Sequence, residues 1–359
     1  MKPLTLFWAS VLTLFPQTAH STSCTTTTTP LPQTGIILTG PFPSNLHGSN
    51  FTYSHPIKLY RFVSQNSPQE MAFIDLPPSS PSPPATKKVA LLLHGKNFCS
   101  TTFTPTALLL STVGYRVILP DQLGFCKSSK PGLAYQFSLS QLSLNTFNLL
   151  SALNLTSSPL TIIGHSLGGM LATRFSLQYP SLPKHLIMIN PIGLENYLSL
   201  GVPYPSIDST YLTERSSNYS SIRAYQQSVY YQGQWSSKYD EPVNMLANIY
   251  QGSQAEEFAW CQAKIVDMVL TQPVSHEFGQ IKVPKTLLLI GTKDTTAIGK
   301  QGAPKDVQER LGRYDLLGKE IAGVIPNSTL IEFEGMGHVP QMQDEKRFHE
   351  ALVGWLREN

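Results

Sequence analysis

Residues 161–175 read TIIGHSLGGMLATRF, which sets Ser166 among small residues where a buried apolar run gives way to a segment able to wind into a helix. Gly164-His165-Ser166-Leu167-Gly168 fits the pattern G-x-S-x-G. A serine on a sharp strand-to-helix turn needs small neighbours because the turn is strained and closely packed, and its hydroxyl is thereby lifted above the sheet. A helix starting there also points free N–H groups and its positive dipole end toward an anion. Ser166 is therefore read as a nucleophile, against the plainer reading of a structural glycine turn.

Working outward, short dense apolar runs recur at 89–95 (VALLLHG), 115–121 (YRVILPD), 160–166, 186–191 (LIMINP), 286–294 (TLLLIGTKD) and 329–335 (TLIEFEG). Strands buried on both faces look like this, continuous instead of alternating. Two earlier runs, 57–64 (IKLYRFVS) and 71–76 (MAFIDL), also read as strands, followed by a proline-rich connection at 77–84. Helical segments at 138–155, 166–180, 304–326 and 345–359 lie between or after these runs. The alternation predicts an α/β fold with a mainly parallel eight-stranded sheet and helices on both faces. One interval breaks it: residues 192–284 are Tyr- and Gln-rich and mostly helical, and an insertion that long between strands six and seven should pack as a cap over the sheet's edge. The organisation expected is a signal peptide at 1–21, a Thr/Pro-rich tether at 22–34, a core in two parts at 35–191 and 285–359, and the cap at 192–284.

A serine hydroxyl is a poor nucleophile until a base removes its proton, and the base needs an acid to hold its tautomer. Of the nine histidines, His338 in EFEGMGHVPQMQ follows the last predicted strand in a Gly-rich loop, at the edge where Ser166 emerges. His94, at the end of a buried strand, and His349, within the last helix, read as structural; His165 should point elsewhere on the turn. Asp294, a few residues past the penultimate strand, is the candidate acid, with Glu195 after the preceding strand as its competitor. Asp121 suits a loop-stapling carboxylate better. Oxyanion stabilisation calls for preorganised donors. The amides of Leu167 and of Lys96 in LLLHGKNF are the candidates, with Asn97 the alternative to Lys96. The Lys96 charge either biases the site toward anionic substrates or is simply solvated. The tyrosines of the insertion, with Trp235 or Trp260, belong either to a partly apolar pocket or to the insertion's own core.

The chain has 359 residues, 26 basic and 23 acidic, giving a formal charge of +3 without basic blocks, so nucleic acid is not an expected partner. Charged residues make up 14%, against roughly 25% in an average soluble protein, so solubility rests heavily on neutral polar groups. Met1-Lys2, an apolar run from Leu4 to Phe15 and a possible cleavage site at Ala19-His20-Ser21 form a secretory signal pattern, too short for a membrane span. Secretion is expected, without stable membrane insertion; an uncleaved anchor and a lipid at Cys24 are the weaker alternatives. Sequons at Asn50, Asn154, Asn218 and Asn327 are compatible with export and glycosylation. Of the four cysteines, Cys24, Cys99, Cys126 and Cys261, Cys99 and Cys126 each follow a predicted strand by a few residues and could form a disulfide or remain two buried thiols. Zinc-type spacing is absent, so neither a metal nor a cofactor is expected.

Taken together, VALLLHGKNF, PDQLGFCKSSKP, GHSLGGMLATRF, LLLIGTKDTTA and EGMGHVPQ resemble the α/β-hydrolase superfamily over roughly residues 57–358, in the branch with a helical cap between strands six and seven. The resemblance implies a nucleophile at Ser166, an acid at Asp294 and a base at His338, in the chain order described for such hydrolases. Serine at 166 argues against the members that use an aspartate nucleophile, the epoxide hydrolases and haloalkane dehalogenases. The position after His94-Gly95 lacks the aromatic or proline often found there. The expected activity is hydrolysis of a small carboxylic ester or lactone through an acyl-enzyme. Acyl transfer, amide hydrolysis or C–C bond hydrolysis on the same triad are alternatives, and a binding protein on a hydrolase scaffold is a more distant one.

Overall fold

The computed structural model describes residues 35–79 and 88–359. The expected signal peptide, the tether with Cys24 and most of the proline-rich connection lie outside the described residues. The sheet consists of β1 (Ile36–Thr39), β2 (Ile57–Ser64), β3 (Ser67–Leu76), β4 (Val89–Leu93), β5 (Arg116–Pro120), β6 (Leu160–His165), β7 (Pro183–Ile189), β8 (Lys285–Gly291) and β9 (Ser328–Phe333). Their order is β1-β2-β3-β5-β4-β6-β7-β8-β9. The three pairings from β1 across to β5 (β1-β2, β2-β3 and β3-β5) are antiparallel, and from β5 to β9 every pair is parallel.

Among the described residues the sheet has nine strands, one more than the eight expected. The extra strand, β1, is four residues long and pairs only with β2, so it has too little periodicity and too few neighbours to read as a strand in sequence. The central strands behave as their composition dictates. Every residue of β4 and β6 is buried, because helices cover both faces.

The helices are α1 (Thr104–Thr112), α2 (Leu139–Ala152), α3 (Leu167–Gln178), α4 (Ile207–Arg215), α5 (Tyr219–Tyr225), α6 (Asp240–Tyr250), α7 (Ala255–Thr271), α8 (Lys305–Arg310), α9 (Tyr314–Val324), α10 (Pro340–Gln343) and α11 (Glu345–Glu358). Side-chain caps start several of them: Ser138 accepts from the Gln141 amide at 3.0 Å, and Asn218 forms a reciprocal capping box with Ser221. The helical segment expected at 304–326 is two helices. Gly312, at φ +67° and where an added Cβ would lie 2.6 Å from the Thr295 carbonyl oxygen, breaks the run between α8 and α9. Helices α4 to α7 all fall between β7 and β8, within the interval read as an insertion.

Candidate active site

The parallel strands deliver the chemistry-bearing residues to one rim. Ser166 directly follows β6, Asp294 lies three residues past β8, and His338 lies in the loop after β9. Because β4 sits beside β6, the loop Gly95-Lys96-Asn97 runs next to the serine turn. A crevice beyond the carboxyl ends of parallel strands is where open α/β sheets place their ligands.

Ser166 has φ 55° and ψ −120°, a conformation that costs on the order of 1–3 kcal/mol and must be held by its surroundings. Main-chain hydrogen bonds to neighbouring segments hold it. Its amide donates to Ile189 at 3.0 Å, and its carbonyl accepts from Gly169 at 2.9 Å and Ile192 at 3.2 Å. The glycines are needed for close approach. A Cβ on Gly168 would lie 2.0 Å from the Leu93 carbonyl oxygen, and one on Gly164 would lie 2.1 Å from the Gly168 oxygen. Leu167 opens α3, so its amide has no carbonyl four residues back within the helix.

His338 donates from Nδ1 to Oδ2 of Asp294 at 2.6 Å, and both side chains are fully excluded from solvent. Its Nε2 has no hydrogen-bond partner among the described residues. The ring is gripped from both sides of its own backbone: its amide donates to the Tyr230 carbonyl at 3.0 Å, and its carbonyl meets His165 Nε2 at 2.8 Å. The Tyr230 ring lies 4.5 Å from the imidazole and the His165 ring 4.8 Å. A hydrogen bond between Ser166 and Nε2 is not formed in this structure. Such bonds are often long or poorly aligned before substrate binds.

Asp294 is fixed by two more donors, the Thr296 amide at 2.8 Å on Oδ1 and the Asn190 side chain at 2.9 Å on Oδ2. Glu195, the competing acid, is instead turned to the Gly312 amide at 3.0 Å, and burial raises its pKa above the usual carboxylate value. Asp121 staples loops, accepting from the Ser100 amide at 2.9 Å, the Lys127 amide at 3.0 Å and the Tyr53 hydroxyl at 2.7 Å. His94 is buried and receives the Gln122 amide at 3.1 Å; His349 lies against Thr106 on α1. Burial holds His165 well below the ordinary histidine pKa, with His338 nearby adding to the effect.

Ser166 opens into a cavity of about 420 Å³. Its walls join the core, through Lys96, Asn97 and Ile298, to the insertion, through Glu214, Tyr225 and Tyr250. The Lys96 side chain is neither solvated nor free to attract an anion: Nζ pairs with Oε1 of Glu214 on α4 at 2.7 Å, with only 14% and 13% of the two side chains exposed. Glu214 also accepts from the Tyr250 hydroxyl. The tryptophans of the insertion lie elsewhere, Trp260 stacked on Tyr211 at 4.0 Å and Trp235 bonded to Asp240 at 3.0 Å. Tyrosines 225, 230 and 250 face the cavity instead. Burial raises all three hydroxyls, Tyr225 to about 12, so at neutral pH they remain proton donors.

Cys99 and Cys126 form a disulfide that joins the end of the Lys96 loop to the loop after β5. Cys261 is a buried free thiol whose pKa burial pushes up to about 12, which makes it a weak nucleophile. Among the described residues, no group of three His, Cys, Asp or Glu side chains is placed to hold a metal ion, and no helix is long and apolar enough to cross a membrane.

Two contributors escaped the sequence. Asn190 sits in INP, directly after β7, where its left-handed φ of 37° is a conformation asparagine tolerates better than most residues. Tyr230 closes a π-helical turn at Gln226–Tyr230, an irregularity frequent at functional sites but without a sequence signature here.

Comparison with known proteins agrees with this architecture. The family model described as alpha/beta hydrolase fold matches residues 91–345. A probable hydrolytic enzyme of known structure from Pseudomonas aeruginosa PAO1 is 45% identical, with a TM-score of 0.82 covering 86% of this chain and 97% of that one. Lipase 1 of Psychrobacter immobilis is 29% identical over 260 residues, 70% of this chain and 72% of that protein. The esterase of Exiguobacterium antarcticum shares the fold, at 20% identity and a TM-score of 0.60 over 80% of this chain and 96% of that one. With a family model spanning most of the sheet and its insertion, this chain belongs to the α/β-hydrolase fold family.

Proposed function

We propose that the protein is a secreted serine hydrolase that cleaves a small carboxylic ester or lactone through an acyl-enzyme. The observation that carries this reading is the buried His338–Asp294 pair at 2.6 Å, which commits Nδ1 and leaves Nε2 as the basic nitrogen at the rim where Ser166 stands. In the first half-reaction Ser166 Oγ attacks the ester carbonyl while Nε2 takes its proton, and Asp294 stabilises the imidazolium. The amides of Leu167 and Lys96 receive the oxyanion. Collapse breaks the C–O bond, and Nε2 returns the proton to the departing alcohol. Water then adds to the acyl-enzyme by the same route, its proton passing through Nε2 back to Ser166 Oγ. The cavity volume of about 420 Å³ suits a small molecule. Similarity to lipases and esterases favours an ester, and the apolar run at 4–15 favours export; the sequons, all on exposed asparagines, are compatible with it.

A fluorophosphonate probe and a chain-length series of p-nitrophenyl esters, run beside lactone and amide substrates, test the proposal. Wild-type protein should be labelled at Ser166 and should hydrolyse short esters, whereas Ser166→Ala should take no label and lose on the order of 10⁶ in kcat. A folded wild-type protein that resists the probe would point to a binding scaffold. Labelling without turnover of any ester or lactone would shift the reading to acyl transfer or C–C bond hydrolysis.

A further inference from the structure

The loop that follows β4 is held from the insertion by side-chain bonds that the triad does not require. Lys96 Nζ reaches Glu214 Oε1 at 2.7 Å, and Asn97 Nδ2 donates to the Tyr230 hydroxyl at 2.9 Å. The same Tyr230 accepts the His338 amide through its carbonyl. The anchors are themselves braced. Tyr250 on α6 donates to the second Glu214 oxygen, and Tyr230 packs its ring on Phe98 at 5.8 Å and on Tyr225 at 5.3 Å. Neither pair is a surface contact, since both lie on the wall of the cavity that contains Ser166. A largely buried lysine–carboxylate pair is a weak source of stability, because desolvation offsets most of the attraction, so its presence here is better explained by geometry than by folding.

We propose that Glu214 and Tyr230 are positioning residues: held on the insertion, they seat the Lys96–Asn97 loop so that its main-chain amide meets the oxyanion. The inference rests on the acyl-transfer reading above. Its physical content is that an oxyanion donor acts through pre-set placement, so a loop free to drift by about 1 Å loses transition-state binding while substrate binding is spared. The insertion would then do more than shape the pocket. It would complete the catalytic constellation by fixing the loop that carries the second oxyanion donor.

The experiment measures kcat and KM for a short p-nitrophenyl ester, together with the affinity of a boronic acid that mimics the tetrahedral adduct, in wild type, Glu214→Gln, Tyr230→Phe, Lys96→Met and Lys96→Arg. Glu214→Gln, Tyr230→Phe and Lys96→Met should each lower kcat about 10- to 100-fold with KM within about threefold, and boronate affinity should fall in parallel with kcat/KM. Lys96→Arg, which keeps the ion pair, should recover most of the kcat lost in Lys96→Met. Lys96→Met combined with Glu214→Gln should be no worse than either alone, as expected of two residues acting through one contact. A rise in KM with kcat unchanged, or a drop in melting temperature alone, overturns the proposal. If Glu214→Gln does not fold, Lys96→Met decides, because it removes the whole contact from the core side and leaves the main-chain amide in place. Fluorophosphonate labelling of wild type separates the two claims: no labelling removes the acyl-transfer reading, whereas labelling with undiminished kcat in the variants removes only the positioning role.

Discussion

Asn190 donates its side-chain amide to the same Asp294 oxygen that accepts from His338, at 2.9 Å and 2.6 Å respectively. Its own oxygen accepts the Gly291 amide at 2.9 Å, so one side chain ties the end of β7 to the loop that carries the acid. The carboxylate is thus aimed by a residue that never faces substrate, and removal of that residue has a definite consequence.

Asn190→Ala strands a buried amide and takes a donor from Asp294. It should cost about 1–3 kcal/mol of stability and lower kcat roughly tenfold, with KM little changed. Thermal unfolding beside steady-state kinetics checks both numbers, and an unaltered kcat would show that the Thr296 amide and His338 alone suffice to hold the carboxylate.

Asp294→Asn should reduce kcat by about 10⁴, because an amide at that position can stabilise the wrong tautomer of His338. Glu195→Gln can still accept from the Gly312 amide and should remain within about tenfold of wild type. A larger loss at 195 than at 294 would reverse the assignment of the acid.

Gly168→Ala should abolish soluble expression or labelling by the fluorophosphonate probe, because its methyl would lie 2.0 Å from the Leu93 oxygen and the serine turn would have to move. Gly302→Ala, where a Cβ meets nothing within 4 Å, is the control and should fold and label normally.

Acid should destabilise the protein through His165. Burial keeps its folded pKa well below 6.5, so in the unfolded chain it binds a proton that the folded one refuses. The unfolded state therefore holds more protons as pH falls below about 6.5, and stability drops with pH in that window while it is fully present above. His165→Gln should unfold with a shallower dependence on pH between 7 and about 5 than wild type, as read from the melting temperature of each. Equal slopes would place the effect on other groups.

Much of this molecule is written locally. The buried runs at 89–95 and 160–166 are strands because short, dense apolar stretches need cover on both faces, and Gly164-x-Ser166-x-Gly168 is a turn because larger residues would collide with neighbouring carbonyls. Sequence reasoning also brought Asp294 and His338 to the serine's rim, since parallel strands release their loops at one edge. It missed β1, whose four residues carry too little pattern, and it joined α8 to α9 across Gly312, whose left-handed φ of 67° does not fit a continuous helix.

The sequence by itself determined the strand and helix alternation, the serine turn and the residues that converge on it, because each follows from periodicity or from steric demands within a few residues. Only the tertiary structure decided which carboxylate holds His338, that Lys96 is neutralised by Glu214, that Cys99 and Cys126 are joined, and that Asn190 and Tyr230 serve the rim. Those relationships link residues tens to over a hundred positions apart. Their partners are chosen by how strands are ordered and how the insertion folds back, and no local pattern encodes that choice.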